Sequence, residues 1–175
     1  KNHGNIILGD SIINPNDITQ STYAIGVYGK ASEIKNTGNI KLGANSVGIY
    51  SDYNTTEAQN TGDIESSSYG AIGIFAENGT FRNMGRIILS GDDSIGMAGR
   101  IDAVLINNGL IETKQAGTIA VYAVNGSLAE MKNLNEQESH YTPGDVIVNG
   151  NWAQNAAIKV ADGATGLWLE QSNTA

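Results

Sequence analysis

The sequence predicts an all-β fold, a right-handed parallel β-helix (β-solenoid) with three short strands per coil. Three observations predict this class: an imperfect repeat of about 23–24 residues, 22 glycines, and short stretches in which apolar and polar residues alternate. One repeat cannot enclose a core, so successive repeats must stack to bury their apolar side chains. We therefore expect a single β-helix segment over residues 1–175, cut from a longer chain.

The first strand of each coil follows a motif of the form Asn-x-Gly-x-Ile. Its five copies are separated by 34, 24, 23 and 24 residues and span 2–6, 36–40, 60–64, 83–87 and 107–111. A second apolar motif gives the next strand, over 25–28, 47–50, 72–75, 95–98 and 119–122. A third apolar position lies two residues before each later Asn, at Ile34, Ala58, Phe81 and Leu105. Three strands per coil follow from these three positions.

Alternation along a strand assigns each side chain to a face. Ile40 and Leu42 are predicted to point inward. In the second strand we expect Ile25 and Val27 in the core, with Gly26 and Tyr28 outside. The third strand turns its asparagines inward at the corner, where stacked amides can hydrogen-bond from coil to coil. The predicted structural ladder consists of Asn36, Asn60, Asn83 and Asn107.

Two insertions interrupt the period, at about residues 10–22 and 129–143. Insertions in solenoids form loops on one face, which is often the binding face. Beyond residue 143 the pattern returns only weakly, so 144–175 is predicted to form degenerate coils or a capping region.

The net charge of −8 and the pI near 4.6 argue against nucleic acid as a partner, because its phosphates attract basic proteins. The absence of cysteine excludes disulfides and thiolate metal sites. No stretch of eighteen apolar residues occurs, so we expect no direct membrane contact in this segment.

Carbohydrate-active enzymes also use β-helices, and they need clustered carboxylates on one strand face. The candidates here are Asp63, Glu65, Asp92, Asp93 and Glu112. Asp63 and Glu65 share a face, but Arg86 and Ile88 take the same positions in the next coil. An Asp pair supplies too few oxygens for calcium, which takes six to eight. We therefore expect no catalytic residues, no metal site and no cofactor.

Two groups of residues are candidates for partner binding. Tyr28, Tyr50, Phe75 and Tyr122 are predicted to stack in an outward column, interrupted at Ala98. Such a column can hold sugars or proteins, although it also stabilises a sheet by ring stacking alone. His140 and Tyr141 lie in the second insertion, where a polar loop without a binding role is the alternative.

In these motifs the chain resembles the passenger region of the large, RadD-like autotransporter (type V secretion) adhesins of fusobacteria. The resemblance rests on Asn-x-Gly-x-Ile units followed by Ser-(Ile/Val)-Gly-Ile-Tyr, as in 36–50, and covers about residues 1–127. It implies export to the bacterial cell surface, with an outer-membrane barrel as anchor. It also implies a role in virulence through adhesion to a protein or glycan on host cells or on other bacteria.

Three functions follow in order of preference. The first is a non-enzymatic adhesin segment, and the second is a structural stalk that spaces binding regions located elsewhere. The third is a carbohydrate-active enzyme of the polysaccharide lyase or hydrolase type.

Overall fold

The computed structural model describes residues 1–53, 57–125, 128–131, 147–148 and 157–170. Its sixteen strands are β1 (Ile6–Ile7), β2 (Ile25–Lys30), β3 (Lys35–Asn36), β4 (Ile40–Leu42), β5 (Val47–Asp52), β6 (Ala58–Asn60), β7 (Asp63–Ser66), β8 (Ile72–Asn83), β9 (Arg86–Leu89), β10 (Ile95–Asn107), β11 (Leu110–Thr113), β12 (Ile119–Ala123), β13 (Leu128–Met131), β14 (Ile147–Val148), β15 (Ala157–Val160) and β16 (Thr165–Leu169). A single 3₁₀ turn, Ile18–Gln20, is the only helix among the described residues. The all-β class is as predicted.

Every strand pairs in parallel with its counterpart in the neighbouring coil. The first sheet has the order β1-β4-β7-β9-β11-β15, and its register places Ile40 beside Ile64 and Ile64 beside Ile87. The second sheet stacks β2, β5, β8, β10, β12 and β16, while β3, β6, the later parts of β8 and β10, β13 and β14 form the third column. The predicted parallel β-helix is confirmed.

The three strands per coil are not separate everywhere. In β8 and β10 the second and third strands run together as continuous strands of 12 and 13 residues. The corner between them is marked by left-handed backbone at Asn78 (φ 56°), Ile101 (φ 56°) and Asp102 (φ 59°), and Ile101 and Asp102 bulge out of the β8–β10 register. The chain therefore bends there without interrupting the sheet.

The core is a column of apolar side chains supplied by all three strands of each coil. The first strand contributes Ile40, Ile64, Ile87 and Ile111, the second Ile49, Ile74, Met97 and Val121, and the third Ile34, Ala58, Phe81 and Leu105. Each of these is at most 3% exposed. Because every coil buries its apolar face against the next coil, stability is expected to depend on contacts between neighbouring coils.

One face assignment is wrong. Ile25, Val47, Ile72, Ile95 and Ile119 are only partly buried and lie outside the core cluster. The glycine after each of the first four faces inward instead. A Cβ on Gly73 would lie 2.9 Å from Cγ2 of Ile87, and one on Gly96 would lie 2.7 Å from Cγ2 of Ile111. The position therefore holds a small residue, glycine in four coils and Ala120 in the fifth, because a first-sheet isoleucine and a carbonyl of the next coil pack against its backbone.

The glycine of the Asn-x-Gly motif marks a second close approach. A Cβ built on Gly62 would lie 2.0 Å from the carbonyl oxygen of Gly38, and Gly85 and Gly109 stand in the same relation to the preceding coil. These contacts are with backbone, which cannot move aside as a flexible side chain can. The repeat therefore excludes any side chain at this position within the stack.

The insertion predicted at 10–22 forms a closed loop. An antiparallel bridge joins Ile12 to Thr22, and the Oγ of Ser11 accepts a hydrogen bond from the backbone N–H of Ala24. The coil then continues into β2.

The second predicted insertion overlaps a regular strand at its start. β13 covers Leu128–Met131 and pairs with β10, Val104 lying beside Leu128. The remainder of that insertion lies outside the described residues. In the predicted degenerate region, β14 pairs with β13, β15 with β11 and β16 with β12, so these strands belong to the stack.

Candidate functional site

The outward face of the second sheet carries a column of aromatic rings. Tyr28 and Tyr50 lie side by side in register, with ring centroids 5.4 Å apart and planes at 76°. Tyr50 and Phe75 continue the column at 5.1 Å and 89°. These are edge-to-face contacts, in which the positive edge of one ring meets the negative face of the next. The predicted column thus stabilises neighbouring coils through ring contacts.

A gap follows at Ala98, which lies between Phe75 and Tyr122 in the register. The column resumes with Tyr122 and Trp168, whose ring centroids are 6.3 Å apart. At the gap, the guanidinium carbon of Arg100 lies 5.7 Å from the centroid of Phe75, which is a cation–π distance. Arg100 therefore covers the ring that the missing aromatic residue leaves open.

Each tyrosine of the column donates a hydrogen bond to a carboxylate in the next coil. The hydroxyl of Tyr28 donates to Oδ2 of Asp52 at 2.9 Å, and that of Tyr50 donates to Oε2 of Glu77 at 2.6 Å. Tyr122 donates in the same way to Oε2 of Glu170 at 2.8 Å. The hydroxyl groups are therefore engaged within the solenoid.

Basic residues form ion pairs with two of these carboxylates. Nζ of Lys30 lies 3.0 Å from Oδ2 of Asp52, and Arg100 donates from Nε and Nη2 to Oε1 of Glu77 at 3.1 and 2.8 Å. The register places Lys30 beside Asp52 and Glu77 beside Arg100. We call this strip of rings and charges the aromatic–carboxylate face, formed by Tyr28, Lys30, Tyr50, Asp52, Phe75, Glu77, Arg100, Tyr122, Trp168 and Glu170.

The pKa values on this face follow from its hydrogen bonds. The bond to Asp52 raises the pKa of Tyr28, and the bond to Glu170 raises that of Tyr122. Burial raises the pKa of Tyr50 strongly, and the bond to Glu77 adds to the effect. The pKa of Asp52 is lowered by hydrogen bonds from Lys30 and Tyr28. At neutral pH the phenols are therefore donors and Asp52 is an anionic acceptor.

The sequence predicted the rings of the aromatic column but not the charged residues that contact them. The signal was present, because each charged residue follows a position of the aromatic column by two and so points to the same face. Lys30 follows Tyr28, Asp52 follows Tyr50, and Glu77 follows Phe75 with this spacing.

The asparagines of the repeat form a buried amide ladder. Nδ2 of Asn36 donates to Oδ1 of Asn60 at 2.7 Å, and Asn60 donates to Asn83, and Asn83 to Asn107, at 2.8 Å. Asn2 extends the ladder by donating to Asn36 at 2.7 Å. Each Nδ2 also donates to the carbonyl of the glycine two residues later. The ladder is internal to the fold and offers nothing to a ligand.

The outer face of the first sheet carries the carboxylates considered for catalysis. Arg86 holds Asp63 with two hydrogen bonds, Nε to Oδ1 at 2.9 Å and Nη2 to Oδ2 at 2.5 Å. Glu65 lies further away, 4.0 Å from the same guanidinium. The register places Arg86 beside Asp63 and Ile88 beside Glu65, as predicted, so basic and apolar residues separate the acidic ones.

The same face contains a shallow groove of about 320 Å³. Its lining consists of Lys41, Glu65, Ser66, Ser67, Ile88, Ser90 and Lys114. Two lysines and the hydroxyl groups of Ser67 and Ser90 are suited to hydrogen-bonding a sugar, whereas Glu65 is the one carboxylate in this lining and glycoside hydrolysis ordinarily uses two.

Two of the remaining carboxylates, Asp93 and Glu112, have a local partner. Asp92 and Asp93 lie in a turn, where the backbone carbonyl of Asp92 accepts from the N–H of Gly70 and the Tyr69 hydroxyl is hydrogen-bonded to the Asp93 side chain. Glu112 lies 3.9 Å from Lys114. Within the described ranges, no three His, Cys, Asp or Glu side chains come together as a possible metal site.

Of the two histidines, His3 lies among the described residues and His140 does not. Nδ1 of His3 lies 2.8 Å from Oγ1 of Thr37 at the exposed corner of the first coil. His140 and Tyr141, the predicted contact residues of the second insertion, lie outside the described residues.

No helix in the described part of the chain is long and apolar enough to cross a membrane.

The fold and these surfaces define a β-solenoid of the parallel β-helix class with an extended outer surface. Within it, residues 54–133 match the family model described as "BigA third pectate lyase-like domain". The match spans the central coils, which contain Asn60, Asn83 and Asn107 of the amide ladder. No curated protein and no solved structure matches the chain.

Proposed function

We propose that this chain is part of the surface-exposed passenger of a bacterial autotransporter adhesin. In this proposal it binds a protein or glycan on host cells or on other bacteria and catalyses no reaction. The observation that carries the proposal is the match of residues 54–133 to a pectate lyase-like domain counted as the third of its kind in BigA. A domain that occurs in series suits a long solenoid, and the fusobacterial repeat style points to the same use.

The structure supports a scaffold role for the regular coils. The phenols of the aromatic–carboxylate face donate to carboxylates of the next coil, and the buried asparagines donate to one another. Polar groups that are satisfied within the solenoid are less available to a partner. A solenoid of this kind serves to hold less regular segments away from the cell surface.

The absence of catalysis in this proposal rests on the first sheet. A polysaccharide lyase abstracts a proton beside a carboxylate that a cation must neutralise, which requires a free base beside a basic residue or a metal. Here the guanidinium of Arg86 is held by Asp63 in two hydrogen bonds. Glu65 lies beside Lys41 of the preceding coil and Ile88 of the next, so no second carboxylate is paired with it in register, and the polysaccharide assay described below tests it as a base.

The proposal is tested by measuring binding of the purified, fluorescently labelled chain to epithelial cells and to intact bacteria. Saturable binding that unlabelled chain competes away is the expected result. A chain that binds neither kind of cell would contradict the adhesin role and would favour the structural stalk.

One observation favours a second function. The matched domain is described as pectate lyase-like, and the groove between Lys41 and Lys114 is open to a sugar chain. Incubating the chain with acidic polysaccharides, with and without calcium, and following the ultraviolet absorbance of unsaturated uronates tests this alternative. Any turnover would overturn the non-enzymatic proposal.

A further inference from the structure

The inserted loop between Ser11 and Ala24 is built differently from the regular coils. Two backbone hydrogen bonds close its base, from the N–H of Ile12 to the Thr22 carbonyl at 2.9 Å and from the N–H of Thr22 to the Ile12 carbonyl at 2.8 Å. The N–H of Ser11 donates to the Ala44 carbonyl at 2.8 Å and the Ala24 carbonyl accepts from the N–H of Val47 at 2.9 Å, so both ends of the loop are bonded to the next coil. The loop therefore has a fixed origin on the solenoid.

Side-chain hydrogen bonds also order the tip of the loop. Oδ1 of Asn14 accepts from the N–H groups of Asn16 and Asp17 at 3.0 and 3.2 Å. Oδ1 of Asp17 accepts from the N–H and hydroxyl of Thr19, and its Oδ2 accepts from Nε2 of Gln20 at 2.9 Å. A loop ordered in advance loses less conformational entropy when it binds.

This ordered loop exposes large apolar side chains. Ile12 is 67% exposed, Ile18 63%, Tyr23 54% and Ile13 40%. The isoleucines of the core are at most 3% exposed, whereas Ile7 on strand β1 of the same coil is 78% exposed. Scattered exposed apolar residues are ordinary on a protein surface, but a concentration of them on one rigid projection is typical of interaction sites.

The charge around these residues limits what can bind there. Between Lys1 and Lys30 the chain contains no Lys or Arg, whereas Asp10 and Asp17 lie in or beside the loop. Hydrogen bonds from Thr19 lower the pKa of Asp17, so its carboxylate is ionised at neutral pH. An anionic membrane would be repelled. Three of the four exposed apolar side chains are isoleucines, which lack the flat aromatic face and the hydrogen-bonding group that Tyr23 could offer a sugar.

We infer that the loop of residues 11–24 docks a protein partner that offers an apolar pocket for Ile12 and Ile18 flanked by Lys or Arg side chains. This inference rests on the proposed adhesin function, because it names the surface and the partner class through which adhesion would act. The aromatic–carboxylate face then acts as the scaffold and not as the contact surface.

The test compares the full chain with its Ile12→Ser/Ile18→Ser variant in the cell-binding assay. Ile7→Ser is the matched control, because Ile7 is 78% exposed on the regular strand β1 of the same coil. The parent chain, the double variant, Ile18→Ser and the control should melt alike, since none of the changed side chains is buried. The double variant should bind at least ten-fold more weakly, and Ile18→Ser alone at least three-fold. The control should bind as the parent chain does.

Two treatments of the target cells identify the partner class. Surface proteolysis should abolish binding, whereas periodate oxidation of surface glycans should leave it intact. Raising the salt concentration should weaken binding several-fold, because paired charges are screened.

The outcomes distinguish a failure of the loop inference from a failure of the proposed adhesin function. Binding by the parent chain that the loop variant retains would overturn the inference and leave the adhesin function standing. Binding that survives proteolysis and is lost on oxidation would replace the protein partner with a glycan and also overturn it. A parent chain that binds no cell would contradict both the loop inference and the adhesin function.

Discussion

Oε2 of Glu77 accepts a 2.6 Å hydrogen bond from the hydroxyl of Tyr50 while Oε1 accepts from Arg100. These residues come from three successive coils, with Glu77 in the middle one. The carboxylate therefore joins the coil before it to the coil after it. A solenoid gains stability from such links, because each coil contacts only its neighbours.

Replacing Tyr50 with Phe should destabilise the chain by about 1 kcal/mol, because the ring contacts with Tyr28 and Phe75 remain and only the hydrogen bond is lost. Urea unfolding monitored by circular dichroism measures the change. Tyr28→Phe is the control, since Tyr28 is 55% exposed and its bond competes with water, so its effect should be smaller. Equal effects would show that the Glu77 link has no special weight.

Removing one amide from the buried ladder should cost more. Asn60 is fully buried, and Asn60→Ala leaves the Nδ2 of Asn36 and the Oδ1 of Asn83 without their ladder partner. A loss of about 3 kcal/mol is expected, because unpaired buried polar groups carry their full desolvation cost. Asn39→Ala, at an exposed position of the same motif, should change the free energy of unfolding by less than about 0.5 kcal/mol. A mild Asn60→Ala phenotype would mean that water replaces the amide.

The alternation of the sequence was enough to predict the solenoid, the inward asparagines and the outward rings, because all three follow from local periodicity. The faces of Ile25 and Gly26 were predicted wrongly for a specific reason. Strict alternation would leave glycine outside, but a backbone carbonyl of the next coil and a first-sheet isoleucine both approach this position closely, so it holds a glycine in four coils and the small Ala120 in the fifth. That contact joins two strands of different coils and has no signature within either strand.

The charged half of the aromatic–carboxylate face was predictable in position but not in pairing. Lys30, Asp52, Glu77 and Arg100 share a face by parity. Which of them meet depends on the register between coils, and the coil lengths here vary with each turn. The ordered, exposed apolar tip of the inserted loop likewise could not be predicted from the sequence, because its order comes from the side-chain hydrogen bonds of Asn14 and Asp17.

Arg82 donates two hydrogen bonds to the Glu57 carboxylate, Nε to Oε1 at 2.8 Å and Nη2 to Oε2 at 2.9 Å, and this pair should make stability depend on pH. Burial acts to raise the pKa of Glu57, but the hydrogen bonds from Arg82 and Gln59 outweigh it and lower the pKa below the ordinary value of 4.5. The folded state therefore binds this proton less readily than the unfolded chain does. The stability that the pair contributes is present above about pH 4.5 and is lost as the pH falls through the lower folded value.

Thermal unfolding between pH 6 and pH 3 measures this effect. The melting temperature should fall with acid, and Glu57→Gln should be less stable at pH 6 and lose less on acidification. Glu65→Gln is the matched control, because Glu65 is exposed and lies 4.0 Å from its nearest cation. An identical acid profile for Glu57→Gln and the parent chain would exclude Glu57 as a source of the pH dependence.

The glycines of the Asn-x-Gly motif provide the sharpest test of the stacking itself. Gly62→Ala places a Cβ 2.0 Å from the carbonyl oxygen of Gly38, so two coils must separate or the ladder must break. A loss of more than about 4 kcal/mol, or failure to fold, is expected from such a backbone clash. Gly4→Ala is the same substitution at the same motif position, yet nothing lies within 4 Å of its Cβ. It should leave the urea midpoint unchanged or slightly raised, because Ala restricts the unfolded chain. If the two variants unfold alike, the close approach of backbone at Gly62 does not determine the stability of the stack.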